Sequence, residues 1–213
     1  MTLAKTHADQ YPPVAIERAT FAEDRTTVAR VFADAFQDDP TFMWCIPDPS
    51  RRRAILPAFF DVFVWAYSHH NETYLANSPA GTVGATLWAP AGAPLIAAED
   101  EEEFVARLDA VVGPGADQER LHQIMELLES HHPDEDLQYL QFFGVLSTVR
   151  GRGIGSQLLS EMTNRCDIAG IAMYHEATSP RNRALYEKHG YTCLDAISVA
   201  DSPPLWRMLR EPH

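Results

Sequence analysis

The sequence feature that most constrains this chain is a loop with three alternating glycines, which reads Arg-Gly-Arg-Gly-Ile-Gly-Ser over residues 150–156. It follows the apolar run Leu140–Leu146, and from Ile154 onward apolar residues recur every four positions. This order predicts a strand, a turn and an amphipathic helix. Glycine permits positive φ and close approach of a ligand, and free N–H groups at a helix start attract anions. We therefore predict a phosphate or pyrophosphate site; the alternative is a glycine-rich turn with solvated arginines.

Two familiar phosphate-binding loops do not match this one. A dinucleotide-binding loop reads G-x-G-x-x-G, whereas Ser156 stands where its third glycine belongs. That fold also needs several strand–helix units after the loop, and less than a third of this chain follows. A P-loop needs a lysine after its glycines, and none follows Gly155. The ligand is therefore expected to be a different phosphate compound.

Length and composition favour one domain spanning residues 1–213, because the chain is 46% hydrophobic and can bury a substantial core. There is no apolar run of the ~20 residues that a membrane helix needs, and Met1–Gln10 has no signal-peptide core. We expect a cytoplasmic protein, either a monomer or a homodimer. The formal net charge of −13 argues against a nucleic-acid partner and would suit a cationic small substrate.

Cysteine and histidine spacing indicates no metal site. Cys45, Cys166 and Cys193 are scattered and form no C-x-x-C pair. The histidines at 69–70 and 131–132 are adjacent in sequence, so that on a helix they point in different directions, and H-E-x-x-H is absent. We therefore expect no metal.

Hydrophobic periodicity predicts alternating strands and helices with one helical insertion. Apolar residues on both alternations make Leu137–Leu146 a strand buried on both faces, and hence a central one. Residues 95–132 form a helical insertion before that strand, too small for a core of its own. The aromatic stretch Thr41–Ile46 is predicted to be irregular. The other strands are predicted at 14–18, 72–77, 82–89, 172–177, 191–199 and 205–209, and the helices at 21–36, 50–70, 104–112, 118–130, from 154 and 181–188.

Two motifs in this order resemble the GNAT superfamily of N-acetyltransferases. Arg150–Gly155 satisfies that family's acetyl-CoA loop, Gln/Arg-x-x-Gly-x-Gly/Ala, and Asn182–Tyr186 matches its Asn-x-x-x-Tyr helix. The order of strands and helices also fits over the whole chain. Glu176–Asn182 and the ending Pro203–Met208 are similar to the puromycin N-acetyltransferase branch, and the helical insertion fits it too. The chain departs from the family at Ser147–Val149, where a Pro-x-x-x stretch is common.

The resemblance implies an α/β (α+β) fold with a mixed, mostly antiparallel sheet, splayed at the central strand and flanked by helices. It also implies acetyl-CoA as cosubstrate, held by a core at about 137–191. The pantetheine arm would enter the splay, and the diphosphate would meet the loop. The cofactor-binding residues implied are Phe143, Gly144 and Val145 on the central strand, Arg150, Gly151, Arg152, Gly153, Ile154, Gly155 and Ser156 in the loop, and Asn182 on the later helix.

Acetylation of an amine needs a base, a polarised carbonyl and a departing thiolate. Glu176, at the end of a strand, is the candidate base, because amines are mostly protonated at neutral pH; His131 or His132 is the alternative. Tyr186 is the candidate acid, although a phenol is weaker than a thiol by about two pKa units, so that a strong hydrogen bond would be enough. The N–H of Val145 could polarise the carbonyl. The plain alternatives are a structural carboxylate and a packed tyrosine.

For the acceptor pocket we select Trp44, Trp88 and Tyr139 from the aromatic residues, which also include Phe36 and Trp65. Asp38 and Asp39 could attract a cationic amine, but helix capping or exposure to solvent is the better explanation for them. The function expected is acetyl-CoA-dependent transfer of an acetyl group directly to an amine of a small molecule or protein. The alternatives are a non-catalytic acyl-CoA-binding regulator and a nucleotide-binding module; the amine itself is not identified.

Overall fold

The computed structural model describes residues 13–213, and the prediction about Met1–Gln10 lies outside them. Short 3-10 turns at Ser68–His70 and Ser147–Val149 accompany the regular elements. In chain order, those elements are β1 Ala15–Arg18, α1 Phe21–Ala35, α2 Pro40–Cys45, α3 Pro49–Ala66, β2 Thr73–Ser78, β3 Gly81–Ala89, α4 Glu101–Val112, α5 Ala116–Ser130, β4 Gln138–Val145, α6 Ile154–Ala169, β5 Met173–Ala177, α7 Pro180–Lys188, β6 Thr192–Ile197 and β7 Leu205–Arg210.

One mixed sheet organises these elements, with the strand order β1-β2-β3-β4-β5-β7-β6. All neighbouring strands are antiparallel except β4 and β5, which are parallel. β4 is the middle strand, as its apolar residues on both alternations predicted. The predicted fold class, a mostly antiparallel mixed sheet flanked by helices, is confirmed.

The sheet opens between β4 and β5. These strands pair only at their beginnings, Gln138 with Met173 and Tyr139 with Tyr174. On its other side β4 stays paired with β3 as far as Val145. Within that pairing the register shifts at Gln141, which is an extra residue on β4, and such bulges increase local twist. The result is a gap bordered by the later residues of β4 and β5.

Helices cover both faces of the sheet. On one face α1 and α3 pack together, and α1 also contacts β3 and β4; Phe32, Phe60 and Phe142 form an aromatic core there. On the opposite face α6 covers β3 and β4 with a separate apolar cluster. Gly144 allows α1 to approach β4 closely, because a Cβ at that position would lie 3.0 Å from side-chain atoms of both Phe32 and Ala35.

Side-chain caps fix several helix starts, and one of them corrects a prediction. The prediction that Thr41–Ile46 is irregular is wrong, because Pro40–Cys45 forms α2. Asp39 caps it by accepting hydrogen bonds from the N–H groups of Thr41 and Phe42, at 3.0 and 3.3 Å. Aromatic residues have weak helix propensity, so the cap, Pro40 at the first turn and burial of Phe42 form this helix instead.

The hairpin of α4 and α5 lies between β3 and β4 in the chain. Its tip is held by Arg51 of α3, which donates to the Asp117 carboxylate at 2.7 Å and to the Val112 carbonyl oxygen at 2.5 Å. Arg120 donates to Asp117 at 2.5 Å and to the carbonyl oxygen of Cys45 at 3.0 Å. These bonds attach the hairpin to α2 and α3 at one end.

Within residues 13–213, no helix combines the length and the apolar character needed to cross a membrane. Over the same range, His, Cys, Asp and Glu side chains form no cluster of three or more that could hold a metal ion.

Candidate active site

The gap between β4 and β5 opens into a cavity of about 670 Å³. His175 and Glu176 both line it. Successive residues of a strand point to opposite faces of the sheet, so the cavity passes through the gap and reaches both faces. On one side it meets Asn182 and Tyr186 of α7, and on the other it extends among α2, α3, α4 and α5.

The glycine loop has a geometry suited to an anion. Gly151 and Gly153 have φ values of +79° and +88°, which other residues adopt only with strain, and Gly153 is the N-cap of α6. No residue in 13–213 accepts a hydrogen bond from the backbone N–H groups of 151–156. Several donors therefore converge at a helix start, where the helix dipole also favours negative charge.

Arg150 differs from the expectation for this loop. Its N–H donates to the carbonyl oxygen of Ser147 at 3.4 Å, and its guanidinium donates to the carbonyl oxygen of Ala35 at the end of α1. Neither group is directed outward to an anion. Arg181 supplies a cation instead, because its Nη2 lies 3.9 Å from the position that a Cβ on Gly151 would take.

Glu176 lies in the gap, and one of its carboxylate oxygens has no partner. Oε2 accepts a hydrogen bond from the Tyr139 hydroxyl at 2.9 Å, whereas Oε1 is shielded and has no hydrogen-bond partner among the described residues. Burial raises the pKa of Glu176 to about 7, against the opposing effects of the nearby Tyr139 and Tyr174 hydroxyl groups. A carboxyl group with this pKa exchanges a proton readily at neutral pH.

Tyr186 lines the same cavity from α7. Its ring contacts that of His175, with centroids 3.6 Å apart, and that of Phe143 at 6.1 Å. Burial and the negative charge of Asp39 raise the pKa of Tyr186, so the phenol is a weaker acid here than in water. It can donate a hydrogen bond, but full transfer of its proton is less favourable than sequence reasoning supposed.

The family assignment rests on the segment that builds this site. Residues 92–193 match the family model described as an acetyltransferase (GNAT) domain. Residues 92–193 are a GNAT acetyltransferase domain. The match includes β4, the glycine loop, α6, β5 and α7, and of these β4, β5 and α7 supply residues that line the cavity.

The alignments with related proteins extend over nearly the whole chain. An uncharacterized N-acetyltransferase of Schizosaccharomyces pombe is 24% identical over 207 residues, which are 90% of this chain and 81% of that protein. A crystal structure of histone acetyltransferase HPA2 and related acetyltransferase from Corynebacterium glutamicum is 28% identical, with 94% of this chain and 97% of that chain covered and a TM-score of 0.71. Arylalkylamine N-acetyltransferase 2 from Aedes aegypti shares the fold at 14% identity and a TM-score of 0.59, covering 94% and 99%. The protein is thus an acyltransferase that transfers an acyl group to an amine.

Asp39 joins the α2 start to the active site of this GNAT domain. Besides capping α2, it accepts a hydrogen bond from the Thr178 hydroxyl, and Asn182 Nδ2 lies 3.4 Å from that hydroxyl oxygen. Burial raises the pKa of Asp39 to about 6, against hydrogen bonds from Thr178 and from the N–H groups of α2. Both carboxylate oxygens accept hydrogen bonds from protein donors, so Asp39 links the start of α2 to the segment that follows β5.

Removing this carboxylate should destabilise the fold. Asp39→Ala is expected to lower the free energy of unfolding by about 1–3 kcal/mol, because cap bonds and the Thr178 contact are lost. Asp39→Asn should equal or exceed the wild type above pH 6, because asparagine also caps and no carboxylate is desolvated. The sign follows from the raised pKa: the folded state keeps the proton to higher pH, so wild-type stability falls as pH rises towards about 6. Urea unfolding at pH 5 and pH 8 measures both effects, and equal losses in the two variants would contradict this account.

The two histidines proposed as alternative bases lie in different environments. His131 Nδ1 lies 2.9 Å from the Leu127 carbonyl oxygen, at the end of α5. His132 lines the cavity and packs edge-on against Tyr139, with centroids 4.9 Å apart. Burial lowers the pKa of His132. Of the three candidate bases, Glu176 alone lies on a strand that borders the gap, and its Oε1 has no hydrogen-bond partner among the described residues, which favours it as the base.

The three aromatic residues predicted to contact the substrate lie in different parts of the structure. Tyr139 lines the cavity beside Glu176. Trp88 is fully buried on the opposite side of the sheet, in the cluster that α6 covers. Trp44 donates from Nε1 to Asp201 at 3.0 Å and is not among the residues that line the cavity. The structure therefore brings only Tyr139 to the gap.

Several residues that border the cavity were not singled out from the sequence. Gln141, the bulge residue, accepts a hydrogen bond from the Tyr67 hydroxyl at 2.5 Å and lines the cavity. His175 is buried, and neither ring nitrogen has a hydrogen-bond partner among the described residues. A bulge and a buried histidine leave no local sequence signal. The spacing of apolar residues predicted that α5 has one apolar face, but it did not indicate that this face borders the cavity.

Proposed function

We propose that this GNAT acyltransferase moves the acetyl group of acetyl-CoA directly to a primary amine while both substrates are bound. In this proposal Glu176 takes the proton of the ammonium group, and Tyr186 donates a hydrogen bond to the departing sulfur. The observation that carries the proposal is the unpartnered carboxylate oxygen of Glu176 beside the open gap between β4 and β5.

The loop and the gap fit acetyl-CoA on three features of this chain. The N–H groups of 151–156 are available to a diphosphate, with Arg152 and Arg181 as nearby cations. The edge of β4 at Phe143–Val145 has no β5 partner, so its backbone can pair with pantetheine amides. Asn182 lines the cavity on the α7 side, where its side-chain amide would be available to the arm. When bound, acetyl-CoA would supply the activated acetyl group.

The surroundings of Glu176 reduce the difference between the pKa of its carboxyl group and the pKa of a bound ammonium group. A free alkylammonium titrates near ~10.4, so proton transfer to a carboxylate of pKa about 7 costs roughly 4–5 kcal/mol. Apolar walls around the amine reduce this cost, because desolvation lowers the pKa of an ammonium group as it raises that of a carboxyl group. Burial therefore shifts the pKa values of both groups in the direction that favours proton transfer from the ammonium group to Glu176.

Tyr186→Phe tests the hydrogen bond to sulfur. We expect kcat to fall roughly 10- to 100-fold, because one donor to a developing charge is removed. The KM for acetyl-CoA should change little, and the acidic limb of the pH–rate profile should stay in place, since Glu176 is intact. Steady-state kinetics with free-thiol detection measures all three quantities. An unchanged kcat would show that Tyr186 only packs against His175.

We further propose that residues 1–213 act as one domain, with 95–132 as an insertion and 137–191 as the cofactor-binding core. We also propose that the chain is similar to the puromycin N-acetyltransferase branch. It concerns β7 and the segment Glu176–Asn182, and in the sheet Glu176 lies opposite Arg207 of β7. Puromycin belongs in an amine panel for that reason.

The decisive experiment is release of free thiol from acetyl-CoA in the presence of a panel of primary amines. The expected result is amine-dependent release above the amine-free rate, with the acetylated amine identified by mass spectrometry. Calorimetric binding of acetyl-CoA without any turnover would favour the regulator. Binding of NAD or ATP in place of acetyl-CoA would favour a nucleotide-binding module.

A further inference from the structure

The end of the cavity remote from the gap lies beneath the α4–α5 hairpin and is walled by hydrocarbon. We propose that this chamber holds the body of the acceptor, which is a primary amine with one positive charge and a bulky aromatic or branched alkyl group. The inference rests on the proposed function and specifies its acceptor class. The chamber is defined by Phe63, Phe104, Leu121, Ile124, Met125 and Leu128.

The walls of the chamber come from three helices. Residues 121, 124, 125 and 128 are spaced so that α5 turns one apolar face inward. Across from them, the ring of Phe63 on α3 meets Phe104 of α4 and Phe142 of β4 edge-on, with centroids 5.0 and 4.9 Å away. Aromatic rings in such edge-to-face contacts form a firm apolar surface. An apolar group placed here leaves water, which favours binding.

The size of the cavity exceeds what a small amine would occupy. Its volume of about 670 Å³ includes both the gap and the chamber, so the chamber adds space beyond what the gap alone offers. The hairpin tip is fixed by Arg51 and Arg120 through Asp117, so the chamber is formed before a ligand enters. A preformed apolar chamber favours a ligand with a complementary apolar body over one that leaves the space empty.

The distribution of carboxylates limits the acceptor to one cation in the interior. Four carboxylates line the cavity, and Glu101, Glu129 and Asp134 are exposed at its rim. Glu176 is the one among these whose carboxyl group is buried, at the gap. An ammonium beside Glu176 is paired, whereas a second cation in the chamber would be desolvated against hydrocarbon. This argues against a diamine or polyamine lying along the chamber.

The test compares kcat/KM for ethylamine, phenethylamine and agmatine under the same conditions. Phenethylamine is expected to exceed ethylamine at least about 30-fold, since burying several carbons in a pocket gives discrimination of this order. Agmatine is long enough to enter the chamber but carries a second cation. Its kcat/KM should be lower than that of phenethylamine by a similar factor. Equal kcat/KM for ethylamine and phenethylamine, or a preference for agmatine, would overturn the proposal.

Matched variants locate the effect in the chamber. Ile124→Trp on α5 should lower kcat/KM for phenethylamine at least about 10-fold more than it lowers kcat/KM for ethylamine, since only the larger amine needs the space. Ile168→Trp makes the same substitution at a position that is 90% exposed on α6, and should leave both values unchanged. Met125→Trp, at a half-buried position, provides a second filling variant if Ile124→Trp does not fold. A parallel loss for both amines in a folded variant would place the apolar body elsewhere.

The outcomes separate this inference from the function on which it rests. If no amine releases thiol, the proposed function fails, and the assignment of the chamber to the acceptor fails with it. If ethylamine and agmatine are acetylated in a Glu176-dependent reaction but phenethylamine is not preferred, the function holds and the chamber assignment fails.

Discussion

Glu176→Gln is expected to lower kcat/KM for the amine roughly 10²- to 10⁴-fold at pH 7, the usual loss when a general base is removed. Glutamine keeps the size of the side chain, and its amide oxygen can still accept the hydrogen bond from Tyr139, but it cannot take a proton. Steady-state kinetics with free-thiol detection measures the loss. The affinity for acetyl-CoA, measured by calorimetry, should stay near the wild-type value, because Glu176 does not belong to the loop.

The pH–rate profile gives this prediction a second readout. In the wild type, kcat/KM should rise with pH and level off above about 7, because the base must be unprotonated. Glu176→Gln should lack this rise, which is the acidic limb of the profile. Glu211→Gln changes the same chemistry at an exposed position near the C-terminus and should keep the limb and the rate. A limb near pH 7 that persists in Glu176→Gln would assign the base to another group, with His132 the next choice.

The same substitution should stabilise the protein above neutral pH. The folded state keeps the Glu176 proton up to about pH 7, whereas the unfolded chain releases it near its ordinary pKa. Stability therefore falls as pH rises through that window, by an amount on the order of 1–3 kcal/mol. Glutamine removes this loss, so the variant should unfold at higher urea concentration than the wild type at pH 8. An inactive yet more stable variant cannot owe its inactivity to misfolding.

The sequence was most informative where structure is set by neighbours along the chain. The apolar run of β4, the glycines and the four-residue spacing of α6 together predicted a strand, a turn and a helix, and the structure contains them. Positive φ at Gly151 and Gly153 follows from the same local chemistry. The middle position of β4 could be predicted as well, because a strand with apolar residues on both faces must be covered on both.

What could not be predicted depends on contacts between distant parts of the chain. Alternation places Leu87 and Trp88 on opposite faces of β3, but it does not say which of the two faces α6 covers. The Arg150 guanidinium reaches a carbonyl oxygen of α1, 115 residues away, and no local pattern in the sequence marks this contact. Asp39 similarly meets Thr178, 139 residues later. The bulge at Gln141 shifts the register of β4 against β3 without any sequence mark.

Gly153→Glu is expected to weaken acetyl-CoA binding by at least about 100-fold and to abolish acetyl transfer at ordinary substrate concentrations. The substitution puts a carboxylate where N–H groups and the helix dipole favour an anionic ligand. Space is not the limitation, because no atom lies within 4 Å of the position that a Cβ would take. The φ of +88° adds strain, which should lower the free energy of unfolding by about 1–2 kcal/mol. Calorimetry with acetyl-CoA and a urea unfolding curve measure the two effects separately.

Gly170→Glu separates the charge at the loop from the strain of the substitution. Gly170 follows the other end of α6, has a φ of +67° and also has no atom within 4 Å of a Cβ. Its glutamate should cost a similar amount of stability, while acetyl-CoA binding stays near wild type, because the new charge lies a whole helix away from the loop. Equal binding losses in the two variants would mean that α6 stability, and not the anion site, controls affinity. Normal binding by Gly153→Glu would remove the diphosphate from this loop, and the gap beside Glu176 would then lack the anchor on which direct transfer depends.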